Sequence, residues 1–130
     1  MTPLGARLRE LRAARGTTLT SLARTLQVTP AYLSALEHGH RGAPSTGLVH
    51  QVCDAFGLIW DEADDLARLA RLSHPRVTVD TAGLAPEQTA LANRLAQTIK
   101  RLPPTTIAAL HAVLDGTGQN APPASNRIEP

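Results

Sequence analysis

Residues 18–44, TLTSLARTLQVTPAYLSALEHGHRGAP, decide the fold of this chain. The stretch begins with Thr18, which can cap a helix, and continues with apolar residues at helical spacing. These apolar residues are Leu19, Leu22, Ala23 and Leu26. Residues 27–29 interrupt the pattern and therefore predict a turn.

A second helix is predicted directly after this turn. Thr29 can accept a hydrogen bond from a first-turn amide, and Pro30 is tolerated at the first helical position. Gly39 can adopt the left-handed conformation that ends many helices, so this helix is expected to stop near His38. Two short helices across a tight turn form a helix-turn-helix, here over residues 18–38.

Small and apolar residues recur at fixed offsets through these helices and just beyond them. They are Leu22-Ala23, Val28-Thr29-Pro30, Leu33-Ser34, Leu36-Glu37 and Gly39, followed by Arg41 and Pro44. This order resembles the lambda-repressor-like (XRE/Cro) DNA-binding family over roughly residues 4–58. The resemblance implies an all-α protein that begins with a five-helix DNA-binding domain.

By this resemblance the second helix of the motif enters the major groove, where its exposed residues meet base edges. The positions implied to face bases are Pro30, Ala31 and Ala35, with Ser34 and His38 nearby. Better-known members carry amides or charged groups there. Methyl and ring carbons offer only apolar contact, chiefly to thymine methyl groups.

The resemblance also implies phosphate contacts, because the loop after the second helix lies against the sugar-phosphate backbone in family members. Arg41 in this loop is the first candidate. Tyr32 can donate its hydroxyl to a phosphate, or its ring can be half-buried between helices. Thr18, Thr29 and Arg12 complete the set, although an arginine on an exposed helix face is often simply solvated.

The distribution of charge favours a polyanionic partner. Residues 1–44 hold six arginines and two glutamates, a net charge of +4, whereas residues 45–82 hold three arginines and six acidic residues, a net charge of −3. A basic N-terminal part suits nucleic acid, and the acidic middle would be repelled by it. We therefore predict double-stranded DNA as the partner.

Length and composition narrow the class of protein. The 130 residues can form one compact domain and an appendage. Cys53 is the single cysteine, which excludes an internal disulfide, and no apolar run approaches the roughly 18 residues of a membrane span. These observations predict a cytoplasmic protein, associated with the nucleoid by binding DNA and with no membrane partner.

Three further helices are expected to complete a DNA-binding domain over residues 1–73. They are predicted over residues 3–15, from the cap Ser45 to the stop at Gly57, and from Asp61 to about Ser73. Glu37 matches a family position that is commonly structural, so we expect its carboxylate to bond within the domain.

Several histidines are spaced so that metal binding has to be considered. His50 lies three residues before Cys53, and His38 and His40 lie upstream. Cys53 falls on the inward face of its helix, where a small buried thiol is common. We therefore predict no metal and no cofactor. Ser34 and His38 lie one helical turn apart but lack an orienting acid and an oxyanion site, so we also predict no enzymatic activity.

Residues 74–83 are predicted to be a linker or a short extended segment. Within it, residues 76–81 alternate like a strand, which can pair with the same segment of a second chain or run extended along the helices.

Residues 84–115 predict a pair of amphipathic helices, over residues 86–102 and about 105–114. Helices of this kind are not stable alone, so their apolar faces must pack on the N-terminal domain, on each other or on a second copy. We expect the second copy, and hence a homodimer. The residues predicted to form its interface are Leu91, Leu95, Ile99, Leu102, Ile107, Leu110 and Leu114. The composition of residues 116–130 predicts a disordered tail.

The sequence thus predicts a sequence-specific transcription regulator, a dimeric repressor that acts on a palindromic operator and can regulate its own gene. The alternative is a protein-interaction module of the same fold, antitoxin-like or regulated by a protease, that binds a protein partner.

Overall fold

A computed structural model describes residues 1–42 and 44–120, which form two compact units divided after Thr78. The first unit contains α1 (Pro3–Arg15), α2 (Leu19–Leu26), α3 (Pro30–His38), α4 (Thr46–Phe56) and α5 (Asp61–Arg71). The second contains α6 (Pro86–Thr98), a 3-10 turn (Ile99–Arg101) and α7 (Pro104–Asn120). The described residues include no strand, and the predicted all-α class is confirmed.

Hydroxyl groups cap the start of four helices in the first unit. Thr2, Thr18, Thr29 and Ser45 each accept a hydrogen bond from an amide three residues later, at 3.0 to 3.1 Å. α2 ends at Gln27, whose φ of 61° is left-handed, so the chain turns into α3 without a glycine. The predicted turn and the two helices around it are confirmed.

One hydrophobic core holds the first unit together. Leu8, Leu22, Leu33 and Leu66 come from four different helices and are each exposed by 1% or less. Burying one such side chain contributes about 1.5–3 kcal/mol relative to leaving it in water. Because Leu33 is buried here, the opposite side of α3 must face solvent.

The start of α1 packs closely against the C-terminal end of α3. Gly5 makes this approach possible, since a Cβ there would lie 2.1 Å from the carbonyl oxygen of Glu37. The Thr2 amide donates to the same carbonyl at 3.0 Å. The buried Ser73 hydroxyl in turn accepts from the Leu4 amide at 2.9 Å and donates to a carbonyl of α5. The segment after α5 thus helps to hold α1, which holds α3.

The second unit contains no buried side chain within residues 79–117. The exposed fractions of its large apolar side chains range from 37% at Ile107 to 67% at Leu114, apart from the partly buried Leu102. The predicted helix over residues 86–102 closes in the 3-10 turn, and α7 continues beyond the predicted end near residue 114. Residues 116–120 of the predicted tail are therefore helical, and residues 121–130 lie outside the described part.

The connection between the units is irregular. α5 ends at Arg71, slightly before the predicted end near Ser73. The strand-like segment 76–81 forms no ladder, and both of its valines face solvent, with Val77 exposed by 76% and Val79 by 65%. Whether this segment pairs with the same segment of a second chain or runs along the helices stays a prediction.

Candidate nucleic-acid interface

The outer side of α3 carries the residues predicted to face bases. Leu33 anchors the inner side of the helix in the core. On the outer side, Pro30 and Ala31 are exposed, and Ser34 and Ala35 are partly exposed. The packing of α3 therefore presents a short surface of methyl groups, ring carbons and one hydroxyl to solvent.

His38 lies at the end of this surface and is tied to its own helix. Its Nδ1 lies 2.8 Å from the carbonyl oxygen of Ser34, a distance at which the ring nitrogen donates to the carbonyl. Its Nε2 lies 3.5 Å from a guanidinium nitrogen of Arg9. The ring also stacks with that of His40, with centroids 6.3 Å apart. The imidazole is thus oriented before any partner binds.

Arg41 is held beside α3 by an aromatic ring. Its guanidinium carbon lies 5.5 Å from the centroid of the Tyr32 ring, a cation–π arrangement worth about 0.5–1 kcal/mol at an exposed site. The Tyr32 side chain is half-buried and Arg41 is exposed. The exposed cation therefore has a defined position next to the outer side of α3.

An open groove runs along one flank of α3, between the turn of the motif and the start of α4. Its lining includes Gln27, Thr29, Tyr32, Arg41, Ser45 and Gln51. The start of α4 adds free first-turn amides and the positive end of a helix dipole. A cation, hydroxyl groups and a helix start suit an anion such as a phosphate. Gln27 and Gln51 were not predicted from the sequence, whereas Thr29, Tyr32 and Arg41 were predicted phosphate contacts and Ser45 was a predicted helix cap.

A second groove follows the other flank of α3. It brings together Thr18, Arg9, Ser34 and His38. Thr18 and Thr29, both predicted phosphate contacts, accept capping hydrogen bonds from backbone amides, and each hydroxyl keeps its own proton to donate outward. The Arg9 side chain is 55% exposed, and its Nε lies 3.8 Å from a Glu37 carboxylate oxygen, farther than Arg12 lies. Arg9 was not among the contacts predicted from the sequence.

Arg12 requires a correction, because the structure uses it inside the domain. Its guanidinium lies 3.3 Å from both carboxylate oxygens of Glu37, and its side chain is only 16% exposed. The Glu37 side chain is 2% exposed, and a buried carboxylate needs such a cation. Arg12 therefore neutralises Glu37 instead of reaching outward to a phosphate. The expectation that Glu37 bonds within the domain agrees with this pair.

Cys53 is buried in α4 next to Asp54. Burial, with a smaller contribution from the negative charge of Asp54, raises the pKa of the Cys53 thiol above its ordinary value. The thiol is therefore protonated at neutral pH and packs as a small apolar group. Within residues 1–42 and 44–120, no three His, Cys, Asp or Glu side chains are grouped so that they could hold a metal ion.

Comparison with protein families identifies the class of the first unit. Residues 3–66 match the family model described as a helix-turn-helix domain, a span that runs from α1 into α5. This part of the chain is thus similar to the helix-turn-helix domain family, and the match supports a DNA-binding family. No curated protein and no solved structure matches the chain. In the described residues, no helix is long and apolar enough to cross a membrane.

Proposed function

We propose that this protein is a sequence-specific regulator of transcription of the lambda-repressor-like (XRE/Cro) kind, which binds double-stranded DNA as a dimer and represses a palindromic operator. The observation that carries the proposal is the outer side of α3, a solvent-facing surface inside the matched helix-turn-helix domain. In proteins with this motif the second helix lies in the major groove.

The base-contacting set is Pro30, Ala31, Ser34, Ala35 and His38. These side chains share the solvent-facing side of α3 or its end. The N-terminal residues of a recognition helix meet base edges, so Pro30 and Ala31 would enter the groove first. Ala35 would follow one turn later.

The phosphate-contacting set is Thr18, Thr29, Tyr32 and Arg41, to which we add Arg9 in place of Arg12. The grooves on the two flanks of α3 support this set, since each contains a cation and a hydroxyl-capped helix start. Two strands of phosphates border the major groove, so a base-reading helix needs positioning contacts on both flanks.

Dimerisation is proposed through the second unit. Its described side chains enclose no core, and its apolar residues are spread along α6 and α7. A two-fold assembly of this unit would bury them and would let two recognition helices reach half-sites about 34 Å apart. The proposed interface residues are Leu91, Leu95, Ile99, Leu102, Ile107, Leu110 and Leu114.

The test is a gel shift with the DNA upstream of the gene that encodes the protein, repeated across salt concentrations and with an unrelated duplex as competitor. A discrete complex that survives the competitor and weakens with salt is expected. Arg41→Ala should weaken binding to all duplexes alike, whereas Ala35→Glu should abolish binding by placing a charge against the groove floor.

Two matched variants control for charge. Arg71→Ala removes an exposed arginine from α5, and Ala14→Glu adds a carboxylate to an exposed position of α1. Both should bind nearly as the unchanged protein does. Normal binding by Ala35→Glu would show that α3 is not the recognition helix, and no complex at low salt with folded protein would overturn the proposal.

The dimer is tested by light scattering at micromolar concentration. The full chain is expected to give the mass of two copies, and Leu95→Asp to give one copy. Gln97→Asp adds the same charge to an exposed position on the other side of α6 and should leave the dimer intact. A monomer for the unchanged chain would contradict this part of the proposal.

A protein-interaction module remains the second candidate function. The exposed apolar residues of α6 and α7 favour it, because a protein partner could cover them as well as a second copy. In that case the chain would be monomeric alone, and the gel shift would give no complex. The basic N-terminal part of the chain favours DNA.

A further inference from the structure

We propose that the outer side of α3 recognises its operator mainly through the C5-methyl groups of thymine. This inference rests on the proposed DNA-binding function and deepens it, since it names the chemical feature of the base pairs that the domain selects.

The exposed side chains of α3 are mostly apolar. Pro30, Ala31 and Ala35 occupy three of the outer positions of α3, and none of their side chains has a hydrogen-bond donor or acceptor. Each base pair presents a distinct pattern in the major groove, and thymine alone adds a methyl group to it. The apolar atoms of these residues match that methyl group and cannot read the polar edges.

The strong polar groups around this surface are already engaged within the domain. The Nδ1 of His38 is directed at the Ser34 carbonyl oxygen, and its Nε2 faces Arg9. The guanidinium of Arg41 lies over the Tyr32 ring, on the flank of the helix. The commonest specific contact to a base is a bidentate pair of hydrogen bonds from arginine to guanine. Arg41 could make this contact only if its guanidinium left the Tyr32 ring.

The Ser34 hydroxyl is the polar group that lies between Ala31 and Ala35 on the outer side of α3. A serine hydroxyl both donates and accepts hydrogen bonds, so it can hydrogen-bond to several bases and discriminates weakly among them. The discrimination among base pairs is therefore left to the methyl contacts. Burying one methyl group contributes about 0.8 kcal/mol, which corresponds to about fourfold in affinity.

The experiment begins with a selection from a randomised duplex pool by the full-length protein. Selected duplexes are expected to hold thymines at matching positions of both half-sites. The best duplex is then resynthesised with deoxyuridine in place of one such thymine, which deletes the methyl group and keeps the Watson–Crick edge. Affinity should fall about fourfold for one methyl group and about 15-fold when both half-sites are changed.

A protein variant assigns the contact to α3. Ala35→Gly removes the methyl group on the protein side, so at the contacted position it should bind the thymine and uracil duplexes equally. Ala14→Gly makes the same change at an exposed position of α1 and should keep the fourfold difference. Circular dichroism confirms that each variant is folded. The thymine-to-uracil comparison in the unchanged protein stays decisive even if a variant does not fold.

The outcomes separate the two proposals. Methyl recognition would be overturned if the thymine and uracil duplexes bind equally in a specific complex, or if the selected site contains no thymine. Either result would still support the DNA-binding function. Failure to enrich any duplex from the pool would overturn the DNA-binding function itself. Methyl recognition by α3 would be established by two results together. Uracil lowers the affinity of the unchanged protein, and this difference between thymine and uracil is absent in Ala35→Gly or in the corresponding Ala31→Gly variant.

Discussion

The two units of this chain use similar helical patterns and reach opposite results. In the first unit the apolar side chains of five helices converge, and Leu33 is completely buried. In the second unit α6 and α7 carry apolar residues at the same kind of spacing, but Leu91 is 64% exposed and Leu95 is 41% exposed. Periodicity is therefore common to both units, but among the residues that the structure describes only the first unit closes a core.

The difference shows what a core requires beyond amphipathic helices. An amphipathic helix must bury its apolar stripe against another element. In the first unit, hydroxyl caps and left-handed turns keep the helices short and redirect the chain, so several stripes face one centre. The described part of the second unit has only two α-helices, of 13 and 17 residues, which leaves too few elements to surround a centre.

The largest expected effect compares an arginine from each unit. Arg12→Ala should lower the free energy of unfolding by about 3–5 kcal/mol, because the buried carboxylate of Glu37 loses its main cation. Arg94→Ala removes an exposed arginine from α6 and should change stability by about 0.5 kcal/mol or less. Urea unfolding followed by circular dichroism measures both. Equal losses would show that the Arg12–Glu37 pair contributes no more than a surface charge.

The next effect compares a leucine from each unit. Leu33→Ala should cost about 2–5 kcal/mol, since it leaves a cavity in a closed core. This loss should be the same at every protein concentration. Leu95→Ala should instead weaken association, so its effect on the unfolding midpoint should depend on protein concentration. A Leu95→Ala loss that is independent of concentration would mean that the second unit closes a core by itself.

The sequence predicted the helices of the first unit well because their ends carry local signals. Thr18, Thr29 and Ser45 cap helices in the structure as predicted. The ends of α6 and α7 were predicted less well, because their signals are weak. The start of α6 has no hydroxyl cap, and polar residues after Leu114 continue the helix instead of ending it.

The candidate site was predicted in part, and the misses have a physical reason. The resemblance to the lambda-repressor-like family implied that Pro30 and Ala31 face outward, and both are exposed in the structure. The role of Arg12 could not, because it depends on a contact with Glu37 across 25 residues of chain. The groove containing Gln51 likewise depends on how α4 packs against α2, which no local pattern encodes.

A smaller effect compares a glycine from each unit. Gly5→Ala should cost about 1–3 kcal/mol, because a Cβ there meets the Glu37 backbone and forces α1 away from α3. Gly116→Ala, in α7, meets no atom within 4 Å and should stabilise the helix by about 0.5–1 kcal/mol. Thermal unfolding measures both. If Gly5→Ala does not lower the midpoint of unfolding, α1 and α3 can move apart without loss of stability. The DNA affinity of this variant would then show whether α3 had moved.

The smallest effect uses the one thiol to report on the closed core. Burial raises the pKa of Cys53, so as pH rises above about 8.5 the unfolded chain loses the thiol proton while the folded chain keeps it. Ionisation then favours the unfolded state, and stability should fall with rising pH by more in the unchanged protein than in Cys53→Ala. Comparing the two unfolding curves from pH 7 to pH 10 cancels the other titrating groups. Parallel curves would indicate that the thiol ionises as readily in the folded domain as in water, and hence that the core around α4 opens to solvent.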